Sequence, residues 1–137
     1  MGKKSDFLNN GWVQKTVRIS KDYMKVCSFL DFIKSNLDQD DKYSFFDNLF
    51  NYSMDFINQN GFRYKIKRRK GEGKRIPKGF LMKETTYETI NISYQMYSRF
   101  NDIYIAEYYE LLLYIYCNNK LSERDKELLG QIDWGIE

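Results

Sequence analysis

A chain of 137 residues is the length of one ordinary domain, and 42% hydrophobic and 18% aromatic content is enough to bury a core without disulfide or metal staples. There is no histidine, so the usual general base at neutral pH and the commonest metal ligand are both absent. The two cysteines lack CxxC spacing, so neither a zinc site nor a disulfide framework is indicated. The net charge of +3 conceals an asymmetry: nine of the 22 basic residues and one of the 19 acidic ones lie between Arg63 and Lys78, which leaves 13 basic against 18 acidic elsewhere.

In chain order, Met1 to Asn10 is a polar lead without an apolar h-region, and the longest apolar run, Leu111 to Cys117, is too short to span a bilayer; a cytoplasmic location is expected. Trp12 to Ser20 alternates Val17 and Ile19 with Thr16, Arg18 and Ser20, the pattern of a half-buried strand. Ser20 is placed to cap a helix over Lys21 to Ser35, where Tyr23, Val26, Leu30 and Ile33 recur at helical spacing. Asn36 to Lys42 is acidic and aperiodic and reads as a solvated loop rather than a metal loop. Ser44 with Asp47 then resembles a capping box, followed by the stripe Phe46, Leu49, Phe50, Ser53, Met54 and Ile57 up to Gly61.

At Phe62 the period changes to two. Phe62, Tyr64 and Ile66 alternate with Arg63, Lys65 and Lys67, and after Gly71-Glu72-Gly73 the residues Ile76, Lys78, Phe80 and Met82 share parity, which predicts a β-hairpin with Pro77 on its return strand. Thr89 to Met96 alternates polar and apolar for eight residues and predicts a third strand. Helical spacing returns over Tyr104 to Asn118, and Ser122 opens a short last helix ending at Gly130. Trp134 has two readings, a fold-back on the core or an intersubunit contact. The expected fold is thus α+β: an N-terminal strand and two helices (1–60), then a three-stranded antiparallel meander with a basic hairpin and one or two C-terminal helices (61–137), sharing one core.

The hairpin is where a partner is expected. One or two lysines suffice to protect an edge strand from aggregation, and this stretch has nine basic groups in sixteen residues. Arg63, Lys65, Lys67, Arg68, Arg69, Lys70, Lys74, Arg75 and Lys78 suit phosphate neutralisation with counterion release, and Arg68, Arg69 and Arg75 are the residue type that reads guanine or a narrow minor groove. An anionic membrane fits less well, because the stretch lacks the apolar face of an interfacial helix.

Thr16-Val17-Arg18-Ile19-Ser20 followed by two helical stripes resembles the ribbon-helix-helix DNA-binding family, over Thr16 to Ile57. The resemblance implies a two-stranded ribbon entering the major groove, with Thr16, Arg18 and Ser20 as base-reading side chains and a phosphate contact at Tyr43, Ser44 and Phe45. It also implies a homodimer, since the ribbon needs a second strand. Thr89 to Ser93 echoes Thr16 to Ser20, which leaves open a tandem arrangement within one chain; the meander is the preferred reading. The function expected is non-catalytic nucleic-acid binding, DNA rather than RNA, by a repressor or a plasmid or phage DNA-organising factor without metal or cofactor. The alternative is a small inhibitor or immunity-type protein docking an acidic partner surface.

Overall fold

The alternation around Val17 and Ile19 forms a strand, β1 (Trp12–Ile19), in the computed structural model, which describes residues 11–67 and 73–136. Ser20 ends it and caps α1 (Lys21–Ser35), its Oγ accepting the Tyr23 N–H at 3.2 Å. α2 spans Gln39–Asn60 and starts earlier than the sequence predicts. The reason is Asp38, whose carboxylate accepts the Asp41 N–H at 3.1 Å, while Asp40 and Asp41 suit the positive end of the helix dipole. Ser44, the expected cap, lies inside the helix and donates back to the Asp40 carbonyl at 3.2 Å.

The three-stranded meander does not form. After β2 (Ile76–Lys83) the chain is helical, with α3 (Glu84–Ser98), α4 (Ile105–Lys120) and α5 (Glu123–Leu129). Thr89 to Met96, the expected third strand, belongs to α3. Its alternation joins two helical faces: Ile90 and Tyr94 turn inward, whereas Ile92 and Met96 are 60% and 53% exposed. The hairpin is corrected as well. β2 pairs along its whole length with β1, antiparallel, from Trp12 opposite Lys83 to Ile19 opposite Ile76. Phe62 to Lys67 instead runs along the core with Phe62, Tyr64 and Ile66 half-buried, and Ile66 bridges Ile136 of the C-terminal tail. Period-two alternation identifies a face and not a partner, and β1 offers β2 eight paired residues with matching apolar parity.

The two halves of the chain repeat one another. β1-α1-α2 and β2-α3-α4 have the same order, and aligning Lys21 with Glu84, the first residues of α1 and α3, places Thr16 on Gly79. Those two residues face each other at the middle of the ribbon, so the alignment and the register describe the same pseudo-twofold. The same alignment places Ser20 on Lys83 and Asp47 on Glu110. Asp47 Oδ1 accepts the Lys83 N–H at 2.9 Å, and Glu110 Oε2 accepts the Ser20 N–H at 2.8 Å. Each second helix thus carries a buried carboxylate that holds the strand-to-helix junction of the other half. The buried faces correspond too, with Phe45, Phe46, Leu49, Phe50 and Met54 of α2 matching Tyr108, Tyr109, Leu112, Leu113 and Cys117 of α4.

One core joins both halves. α2 packs on α4 and on β2, and α4 packs on β1. Phe80 at the ribbon's inner face meets Phe46 and Phe50 edge-on at 5.1 and 5.2 Å and stacks on Tyr109 at 6.1 Å. Of the two readings of Trp134, the fold-back is the one observed: its ring lies edge-on to Tyr23 and Tyr114, and its carbonyl accepts from Tyr23 Oη at 2.6 Å. Both cysteines are free and buried, and burial pushes each thiol up to about 12.

Candidate nucleic-acid interface

Strand alternation divides the ribbon into two faces. Val13, Lys15, Val17 and Ile19 with Ile76, Lys78, Phe80 and Met82 face the helices. Trp12, Gln14, Thr16 and Arg18 with Pro77, Gly79, Leu81 and Lys83 face away. Gln14, Thr16 and Arg18 are exposed, so two of the three predicted base-reading residues stand on the outer surface. Ser20 does not: it is buried, with its hydroxyl committed to the α1 cap and its N–H to Glu110. Gln14, which the sequence reading passed over, lies across Gly79, where an added Cβ would come within 2.7 Å of its Nε2. Strand parity alone would have placed Gln14 beside Thr16.

The predicted basic residues separate into three groups. Arg63, Lys65, Lys67 and Lys74 are exposed. Arg75 and Lys78 turn into the fold. Arg75 Nη2 lies 2.9 Å from Glu110 Oε2 and its Nε donates to the Arg18 carbonyl at 2.8 Å, so this arginine ties α4 to one end of the ribbon. Lys78 keeps 16% of its side chain exposed, pairs with Asp31 at 2.7 Å, and sits 5.5 Å from the Phe46 ring centre. Arg68, Arg69 and Lys70 lie outside the described residues. Because Arg75 is bonded to Arg18, its neighbour Lys74 shares an end of the ribbon with the exposed Arg18.

A groove of about 410 Å³ opens beside the ribbon. Its walls include Gln14, Lys34, Lys42, Tyr43, Phe46 and Lys78. Lys34 Nζ, like Lys78 Nζ, is 5.5 Å from the Phe46 ring centre, on which the two ammonium groups therefore converge. The Lys34 pKa is lowered, first by burial and also by the like charges of Lys78 and Lys42, with Asp31 opposing. Of the phosphate contacts implied at Tyr43, Ser44 and Phe45, only Tyr43 lines this groove; Phe45 is core, edge-on to Phe46 at 5.2 Å. Lys34 and Lys42 were not picked out from the sequence because each is one lysine on a helix of mixed charge.

Among the described residues, no helix is long and apolar enough to cross a membrane. No family model, no curated protein and no solved structure matches this chain.

Proposed function

We propose that this chain is a single-chain counterpart of the ribbon-helix-helix arrangement and a non-catalytic, cytoplasmic nucleic-acid-binding protein, with DNA as its target and transcriptional repression or DNA organisation as its role. One observation carries the reading. Two β-α-α units place an antiparallel ribbon, centred on Thr16 and Gly79, with Gln14, Thr16 and Arg18 exposed on the face turned away from the helices. A two-stranded ribbon fits the major groove, where an arginine and a glutamine are suited to bidentate contacts with guanine and adenine. Arg63, Lys65, Lys67 and Lys74, with Arg68, Arg69 and Lys70 between them in sequence, supply the phosphate neutralisation. The homodimer was expected because the first strand lacked a partner, and β2 of the same chain now fills that place.

The test is fluorescence anisotropy with a short labelled duplex over a salt series. Binding is expected to weaken steeply with salt, and Arg18→Ala with Thr16→Ala to reduce discrimination between duplex sequences. Absence of retention at low salt would overturn the proposal. A second reading, docking to a protein, is favoured by the row Ile92, Met96 and Phe100 along one side of α3 and just beyond it, with Phe100 78% exposed. A stoichiometric protein partner together with no duplex affinity at physiological salt would select it.

A further inference from the structure

The groove beside the ribbon brings three ammonium groups from three elements to one place: Lys34 from the last turn of α1, Lys42 from the first turns of α2, and Lys78 from β2. Among the described residues, no carboxylate lines it. Asp31, paired with Lys78, is the one acid among the described charges that act on Lys34, against the like charges of Lys78 and Lys42. Gln39 lines the groove, while Asp38, Asp40 and Asp41 at the same helix start are exposed outside its walls. Holding like charges together beside the buried Phe46 ring is unfavourable in the free protein, and an anion seated among them relieves it.

The pseudo-twofold supplies the control. The positions equivalent to Lys34 and Lys42 are the buried Tyr97 and the half-buried Ile105, and Gln14 and Tyr43 correspond to Pro77 and Ala106. Lys78 alone has a lysine counterpart, Lys15, whose ammonium sits 4.4 Å from the centre of the Tyr87 ring. The equivalent flank therefore has neither the lysine cluster nor its polar wall.

We infer that the groove lined by Lys34, Lys42, Lys78 and Gln14 is a phosphate site on one flank of the ribbon, filled by a backbone phosphodiester of bound nucleic acid. The identity of the phosphate's source rests on the nucleic-acid reading; the site itself does not. Gln14 joins the two, since it both lines the groove and stands on the ribbon's outer face. Docking is accordingly lopsided, with one flank gripping the backbone and the other leaving it free.

Two measurements test this with the whole chain. In an amide NMR titration with inorganic pyrophosphate, shifts are expected at Gln14, Lys34, Gln39 and Lys42 and not at Tyr97 or Ile105. Lys42→Gln, and separately Lys34→Gln, should weaken those shifts severalfold while the remaining spectrum stays folded. In the duplex salt series, Lys42→Gln should lower the slope of log affinity against log salt by about one, the loss of one phosphate contact. Pyrophosphate shifts that are absent, or equal in wild type and Lys42→Gln, would overturn the site. Pyrophosphate binding with an unchanged duplex slope would overturn its assignment to a backbone phosphate and point to a free phosphate compound. Failure of the wild type to bind any duplex would remove the nucleic-acid reading and leave the pyrophosphate result to decide the groove alone.

Discussion

The two β-α-α units share a backbone plan and differ in what their strands show to solvent. β1 presents Gln14, Thr16 and Arg18 on the outer face, whereas the equivalent positions of β2 are Pro77, Gly79 and Leu81. Their junctions differ too. α1 begins with a serine whose side chain closes the first turn, while α3 begins at Lys83 with no side-chain cap, and its junction is held from outside by Asp47. Shared architecture therefore depends on the inner faces and the reciprocal carboxylates, which both units keep. The outer surfaces are free to diverge, and here chemistry capable of reading a polar ligand is concentrated on one strand.

The largest effects are expected at the inner face. Phe80→Ala should cost about 3–5 kcal/mol in urea denaturation, because it removes a ring from the centre of the aromatic cluster, and the equivalent Val17→Ala about 2 kcal/mol. Equal losses would show that the two strands share the core evenly. Next comes Glu110→Ala, which leaves the Ser20 N–H without its acceptor and removes the carboxylate facing Arg75, whose Nε keeps the Arg18 carbonyl. About 3 kcal/mol is expected, at the low end for a buried pair because Arg75 keeps 26% of its side chain exposed. Asp47→Ala should act in the same direction by about 2 kcal/mol through the Lys83 N–H. A neutral result at either position would remove the reciprocity.

Two smaller effects distinguish the outer strands and the buried thiols. Arg18→Ala should weaken duplex binding by about 1–3 kcal/mol with little change in stability, and Leu81→Ala, its counterpart on β2, should cost less because it removes no hydrogen-bonding group; a larger loss at Leu81 would reverse the assignment of the reading strand. Each thiol occupies a position where the other unit has a hydrocarbon or thioether, Ile90 opposite Cys27 and Met54 opposite Cys117. With folded values raised to about 12 from 9.0, both stay protonated in the native state while the unfolded chain releases its protons. Stability is therefore full below pH 9 and falls as pH rises from 9 towards 12, by about 1 kcal/mol per thiol at pH 10. Cys27→Ala should flatten that alkaline slope; an unchanged slope would place its origin elsewhere.

Elements with local signals are legible in the amino-acid sequence. Val17 and Ile19 mark the first strand, Ser20 caps α1, Ser122 caps α5, and the apolar stripes of α2 and α4 predict the faces that are buried. The concentration of charge between Arg63 and Lys78 was equally plain. The pairing partners follow from long-range packing. Whether Ile76 to Lys83 pairs with the segment just before it or with a strand some sixty residues earlier depends on which pairing buries both faces, and a period of two is silent on that. The same holds for the charges: all nine basic residues of the run were expected to face a partner, with Arg75 among the three suited to read bases, but Arg75 and Lys78 found carboxylates on distant helices, and Lys34 and Lys42 were brought beside Lys78 by helix packing. The repeat stayed hidden for a related reason. What the two halves conserve is burial and the placement of one carboxylate, Asp47 or Glu110, and both become visible only when each side chain is seen reaching the other half.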